Sequence, residues 1–358
     1  MTSTLYPWQY QAWAQLQQLH SRWPHAILLH GPKGIGKTHF AEWLAQSLLC
    51  ESPLSDGQAC GMCISCGWFS QYSHPDYRRL RPEILETDSA EGHSAEQEEA
   101  PAADTKSTSK STGLTAKSAR APSKEIVINQ VRNLSEFMTI STHRQGRRVI
   151  VIYPAESMNT SAANAILKSL EEPGPDTIFI LVTSSVNSLL PTLISRCHQF
   201  ALSLPEIEQA AAWLAQQNTT EPEQFLAEQG GAPLAAFAAS QADTQEQQQE
   251  FFRYLHQPDV NGALKTANKL QKTSILLIVS WMQRWLYDLF SFKLSGKIRY
   301  YPRYRHEIER IAALVNLSDL LTLLDENTQR CAVAEHPLSH VLVLEEMLLD
   351  YVQSCDRL

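Results

Sequence analysis

The spacing of apolar positions divides the chain into stretches of different character. Residues 5–20 (LYPWQYQAWAQLQQLH) place Trp and Leu at helical spacing after Pro7 and predict a short amphipathic helix. Ala26–His30 is an apolar run of strand length, followed by a glycine-rich loop and a helical pattern from Lys37 to about Leu49. At Glu125 the stretch EIVINQVRNLSEFM predicts a short strand and then a helix. Val149–Tyr153 is continuous and β-branched, the mark of a strand covered on both faces. Thr160–Glu172 is helical and stops before Pro173. Ile178–Thr183 predicts another buried strand, Leu189–Ser195 a helix and His198–Leu202 a last edge strand. Strands alternating with helices predict a parallel α/β sheet with right-handed crossovers.

After Pro205 the pattern is helical. Residues 205–240 predict about three short helices broken at Gly230-Gly231, and residues 242–355 predict longer amphipathic helices. The expected organisation is multi-domain: an α/β domain over 1–202, a small helical domain over 203–241 and a larger all-α domain over 242–358. Residues 86–124 interrupt the first of these. They are Ala, Ser, Thr, Glu and Lys with almost no large apolar residue, acidic first and basic later. Such a segment cannot bury enough surface to offset its ordering entropy, so a disordered, solvated insertion is expected.

The 358 residues are 43% hydrophobic, enough for a sizeable core in more than one domain. The net charge of −8 argues against non-specific nucleic-acid binding by the whole surface and leaves room for a local basic patch. The start, MTSTLYPWQYQAW, lacks a basic segment followed by an apolar run, so no signal peptide is expected. The apolar stretch 275–290 is broken by Gln283, Arg284 and Asp288 and is too short and polar to span a bilayer. A cytoplasmic protein with no membrane partner is the expectation. Its cysteines would then be reduced unless they bind metal.

Gly31-Pro32-Lys33-Gly34-Ile35-Gly36-Lys37-Thr38 satisfies the full phosphate-binding loop pattern between a strand and a helix. Gly31, Gly34 and Gly36 let backbone N–H groups turn toward phosphate oxygens, and the helix N-terminus adds partial positive charge. Lys37 would reach the β- and γ-phosphates and Thr38 would hold Mg²⁺. Hydrolysis also needs an acid at the end of a neighbouring strand. The strand Val149–Ile152 ends instead in Tyr153-Pro154-Ala155-Glu156, with a phenol and a proline where an acidic pair would stand. Glu156 lies three residues beyond Tyr153, past the proline. ATP or ADP with Mg²⁺ is therefore expected to bind without turnover.

Cys50, Cys60, Cys63 and Cys66 form C-x9-C-x2-C-x2-C. Four thiolates in so short a span match a tetrahedral zinc ion with no open position, hence a structural one. Gly57, Gly61 and Gly67 would allow the tight turns between them. A disulfide pair or four free thiols are the alternatives. Cys197, Cys331 and Cys355 stand alone and read as core or surface residues.

The phosphate loop, the four cysteines, His74-Pro75-Asp76, the stretch Asn164 to Pro173 (NAILKSLEEP) and Ser195-Arg196-Cys197 occur in an order that resembles bacterial clamp-loader subunits of the AAA+ class. Among these the chain looks like the delta-prime type. The resemblance covers nearly all of residues 1–240 apart from the insertion, and His336-Pro337-Leu338 through Leu348-Leu349 resembles the family's last helix. It implies an AAA+ domain, a helical lid and a helical collar. It further implies a hetero-pentameric ring with gamma/tau motor and delta subunits, which loads a sliding clamp on primer–template DNA. In such a ring Arg196 would be an arginine finger, reaching the γ-phosphate bound by its neighbour; read alone, it is equally a surface arginine at a helix C-terminus. Thr183 falls where the family's γ-phosphate sensor lies, or is a strand-end hydroxyl. Trp8, Gln9 and Trp13 would lie near the adenine or simply pack. Lys168 would touch duplex phosphate or pair with Glu171 and Glu172. Tyr153-Pro154, and Pro233-Leu234 where a motor would carry a sensor arginine, resemble the non-motor subunit. Two other readings remain: a gamma/tau-type motor ATPase, and a P-loop scaffold with a zinc module unrelated to replication.

Overall fold

The computed structural model describes residues 4–18, 23–86, 122–140, 142–143, 146–333 and 340–355. Most of the low-complexity segment, residues 87–121, and the His336-Pro337-Leu338 motif lie outside the described residues. Two compact units emerge: Met1–Pro32 with Gly36–Ser203, and Lys33–Ile35 with Leu204–Leu358.

In the first unit five parallel strands form one sheet in the order β2-β3-β4-β1-β5: β1 Ala26–His30, β2 Tyr77–Leu80, β3 Arg148–Ile152, β4 Thr177–Thr183 and β5 His198–Ala201. Its helices are α1 Tyr10–Gln17, α2 Lys37–Leu49, α3 Ile64–Ser70, α4 Ile128–Thr139, α5 Thr160–Glu171 and α6 Pro191–Ile194. One face of the sheet, with Ala26, Leu28, Ile150, Ile152, Phe179 and Leu181, packs on Val131, Leu134 and Phe137 of α4 and Ala162, Ile166 and Leu170 of α5. The other face meets α2, whose Phe40, Ala41 and Leu44 are fully buried. Side chains alternate faces along a strand, so strands covered on both faces need unbroken apolar runs, and Ala26–Leu29, Val149–Ile152 and Ile178–Val182 supply them, with polar residues only at strand ends (His30, Arg148, Thr177, Thr183). Each Leu or Ile taken fully from water contributes about 1.5–3 kcal/mol. At the start of α5, Asn159 accepts a hydrogen bond from Ala162 N–H (2.9 Å), and Pro173 prevents continuation beyond Glu172.

Two local features differ from the pattern-based expectation. The strand expected at Glu125 is a single bridge between Ile126 and Met158. Conversely Tyr77–Leu80, with the sequence YRRL, is a strand. Its Tyr77 and Leu80 point inward while Arg78 and Arg79 spread over Phe137 and Tyr72, with the guanidinium carbons 4.3 and 3.5 Å from the ring centres. The arginines carry so much apolar contact that the run reads as polar in sequence yet sits in the sheet.

The second unit is helical. Three short helices, α7 Ile207–Gln216, α8 Pro222–Glu228 and α9 Pro233–Gln241, share a small core of Ala210, Leu214, Phe225, Leu226 and Ala236. Gly230 and Gly231 take positive φ between α8 and α9. Six further helices follow, the longest of 21 residues: α10 Gln245–His256, α11 Val260–Leu270, α12 Ile275–Ser295, α13 Arg305–Leu314, α14 Leu317–Val333 and α15 His340–Cys355. Helix α12 is the axis of their shared core, and its Trp285 donates to the Tyr351 hydroxyl at 3.0 Å. Asp288, also on α12, is fully buried and accepts from the N–H groups of Arg299, Tyr300 and Tyr301, at 2.7 Å for the last. Burial pushes its carboxyl above the usual range while these N–H groups pull it back. Among the described residues no helix is long and apolar enough to cross a membrane.

Asp288→Ala would leave the three N–H groups of this turn without their acceptor. The expected loss is about 3 kcal/mol of unfolding free energy, measurable by urea denaturation. A loss within experimental error would show that the turn does not depend on this carboxylate.

Candidate nucleotide and metal sites

The phosphate loop follows β1 directly. Gly31, Gly34 and Gly36 take φ values of 148°, 84° and 85°, a region that L side chains rarely enter. Gly36 opens α2, and its carbonyl accepts from Gln9 Nε2 at 2.9 Å. A Cβ at Gly36 would lie 2.8 Å from that same nitrogen and 3.0 Å from the Tyr6 ring. Gln9 is thus a support of the loop, with a role that the apolar pattern of residues 5–20 hides. Lys37 is buried, and its ammonium donates to Pro32 O at 2.6 Å, across the loop it belongs to. Trp13 donates to Asp56 O at 3.1 Å and packs edge-on against Phe40, so it serves packing.

Strand pairing decides what stands near this loop. His30, the last residue of β1, is in register with Thr183, the last of β4. Thr183 therefore shares the loop end of the sheet with Gly31 and Lys37. Its hydroxyl donates to Ser185 O and accepts from Ser185 N–H, both at 3.0 Å, so it also closes the turn after β4. Glu156 accepts from Ser184 N–H at 3.1 Å.

Tyr153 occupies the position at the end of β3 where the hydrolytic acid would be. Its N–H still pairs with Leu80 O, and its hydroxyl donates to Glu42 Oε1 at 3.2 Å. Glu42 lies on α2, is buried, and also accepts from the Tyr72 hydroxyl at 3.4 Å, with Arg79 3.7 Å away. Burial raises the Glu42 carboxyl above the usual range, opposed by Arg79 and then by the two phenols. The end of β3 is thereby committed to an internal hydrogen bond. Glu42 carries no motif, and only its place five residues after Lys37 on a helix that faces the sheet could have pointed to it.

Arg196 lies at the other end of the sheet. It precedes β5, whose first residue His198 pairs with Ile27 near the start of β1. That puts Arg196 and the Gly31 loop on the order of 15 Å apart along the strand direction. Arg196 donates to Thr192 O at 2.7 Å, at the C-terminus of α6, and forms an ion pair with Glu171 at the end of α5. The two side chains are 33% and 49% exposed, so this is a surface pair of small net value. Lys168 is exposed on α5.

The four cysteines converge: the Sγ atoms of Cys50, Cys60, Cys63 and Cys66 all lie within 4.8 Å of one another. Cys50 is 3.5 Å from Cys60 and 3.9 Å from Cys63. Four sulfurs at about 2.3 Å from one tetrahedral ion would be about 3.8 Å apart, which this spread brackets, whereas a disulfide needs about 2.05 Å. Backbone N–H groups point at the sulfurs: Cys60 N–H at Cys50, Cys63 N–H at Cys60 and Cys66 N–H at Cys63, at 3.3 to 3.4 Å. Hydrogen bonds from the Met62 and Cys63 backbones lower the Cys60 thiol to about 6, into the range where it is a thiolate, while burial pushes Cys66 up. The four residues could hold a metal ion. Gly57 and Gly61 turn the chain with positive φ, but Gly67 lies inside α3 with an ordinary helical backbone.

Residues 8–206 match the family model described as DNA polymerase III, delta subunit. The delta' subunit of DNA polymerase III from Pseudomonas aeruginosa is 34% identical over 81% of this chain and 79% of its own length. The chain belongs to the delta-prime subunits of DNA polymerase III. The delta' subunit from Haemophilus influenzae is 30% identical over 70% of this chain and 66% of its own length. A solved structure of a gamma subunit-related protein from Thermotoga maritima is 15% identical and covers 96% of this chain and 99% of its own, with a TM-score of 0.36. Membership of this family excludes the reading as a scaffold unrelated to replication.

Because the folded-state pKa of Glu42 lies above its unfolded value, its protonation favours the fold. Its contribution grows as the pH falls and is lost as the pH rises through the folded value. Urea denaturation from pH 7 to pH 5 should show wild type gaining stability relative to Glu42→Gln. A constant difference across that range would contradict the raised carboxyl.

Proposed function

We propose that this chain is the stator-like member of a clamp-loader ring: it holds nucleotide without hydrolysing it and supplies Arg196 in trans to a neighbouring motor subunit. Its partners are the gamma/tau motor and delta subunits in a five-membered ring, and through the ring the sliding clamp and primer–template DNA, in the cytoplasm. Residues 203–241 act as lid and residues 242–358 as collar. The observation that carries this reading is the parallel register of the sheet, with the phosphate loop and Thr183 at one end and Arg196 at the other. An arginine so placed cannot serve its own chain's loop. In a ring it can meet a neighbour's γ-phosphate and stabilise the charge that develops there.

Gly31, Gly34, Gly36, Lys37 and Thr38 would hold the phosphates and Mg²⁺, with Thr183 beside the γ position. Tyr153, bonded to Glu42, provides neither a metal ligand nor a base. Cys50, Cys60, Cys63 and Cys66 would bind a structural zinc ion, which cross-links the segment between α2 and β2 and takes no part in turnover.

The intact loop alone would equally fit a motor subunit, and turnover separates the two readings. The isolated chain should bind Mg-ATP in a manner abolished by Lys37→Ala, with no Lys37-dependent hydrolysis. Hydrolysis by the isolated chain that disappears in Lys37→Ala would make it a motor. For the metal, elemental analysis of the freshly purified, reduced chain should give one zinc, lost on combined Cys63→Ser and Cys66→Ser; a metal-free wild-type chain would refute the assignment.

A further inference from the structure

His74-Pro75-Asp76 has no part in the functions above, yet His74 and Asp76 are buried and fully engaged. The Ser65 hydroxyl donates to Leu49 O at 2.7 Å and lies 2.6 Å from His74 Nε2. Its only proton is spent on Leu49, so toward the imidazole Ser65 is an acceptor and Nε2 carries the hydrogen. The opposite ring nitrogen, Nδ1, accepts from Asp76 N–H at 3.0 Å. The two bonds together fix a neutral imidazole in the Nε2–H form.

The relay ends beside the sulfurs. Leu49 directly precedes Cys50, and Ser65 directly precedes Cys66. One serine hydroxyl therefore ties the chain before the first cysteine to the chain before the fourth, across fifteen intervening residues. At its other end the relay is anchored to the sheet. The Asp76 carboxylate accepts from His143 N–H at 3.0 and 3.2 Å, and Asp76 O accepts from Val149 N–H of β3 at 3.0 Å. The Trp68 ring lies edge-on to the imidazole, with centres 6.0 Å apart.

We propose that Ser65 and His74 are positioning residues of the four-cysteine site. They hold Cys50 and Cys66 at the separation that one tetrahedral ion requires and register the site on the sheet. The proposal rests on the zinc reading. Hydrogen-bonded supports of this kind typically change metal affinity by about 10- to 100-fold when removed.

The test uses the full chain as wild type, Ser65→Ala, His74→Leu and His74→Gln, each loaded with zinc and, separately, with cobalt(II). Transfer of zinc to the chelator 4-(2-pyridylazo)resorcinol reads affinity, and the thiolate-to-cobalt absorption bands read ligand geometry. Ser65→Ala and His74→Leu should bind zinc about tenfold or more weakly, with displaced cobalt bands. His74→Gln, whose amide can still donate to Ser65, should recover much of the difference. A general loss of packing would not be rescued in this way. Ser65→Ala removes a single oxygen and keeps the test open if His74→Leu does not fold. Zinc affinity and cobalt bands in Ser65→Ala equal to wild type would overturn the positioning role while leaving the metal site standing. A wild-type chain that takes up neither metal would overturn both.

Discussion

A buried carboxylate joins the phosphate-loop helix to the part of the sheet where hydrolysis would be organised. Glu42 extends from α2 toward the end of β3 and is held there by the Tyr153 and Tyr72 hydroxyls and by Arg79 of β2. A buried carboxylate without such partners would be costly, so these groups are mutually dependent. Their consequence reaches the chemistry. The place beside the loop where other P-loop proteins need an acid is filled by a phenol already bound to a carboxylate of its own chain. The loop keeps its glycines, its lysine and the conformation these demand, so what is altered is the neighbour of the loop.

The same sheet separates two kinds of function by its direction. All five strands run parallel, so every β-to-α turn lies at one end and every α-to-β turn at the other. Gly31, Lys37 and Thr183 belong to the first end. Arg196, Glu171 and the entry to β5 belong to the second. A subunit with this arrangement offers a binding loop on one side and a cation on the other. That division suits a member of a ring in which each site is completed by its neighbour.

Much of this was legible in the sequence, for physical reasons. Short, continuous, β-branched runs such as VIVIY and IFILV favour strands covered on both faces, and glycines at fixed intervals before Lys37 have few other uses. The four cysteines converge as their spacing implied. What the pattern concealed was the polar supporting structure. Tyr77–Leu80 looks charged because two of its four residues are arginines, yet it joins the sheet because those arginines lie over aromatic rings. Gln9, Glu42 and His74 matter through partners 27, 111 and 9 residues away, which no local period records. Gly67 shows the reverse error, a glycine in a cysteine-rich segment that turns nothing.

Whether this chain completes a neighbour's site while its own loop turns nothing over is decided in the assembled ring. The most direct measurement is DNA-stimulated ATP hydrolysis by the reconstituted ring carrying either Arg196→Ala or Lys37→Ala in this chain alone. Arg196→Ala should leave assembly intact but lower turnover at the adjoining motor site by about 10³-fold, while Lys37→Ala should leave the ring's turnover near wild type. Unchanged turnover with Arg196→Ala, or a comparable loss with Lys37→Ala, would contradict this reading.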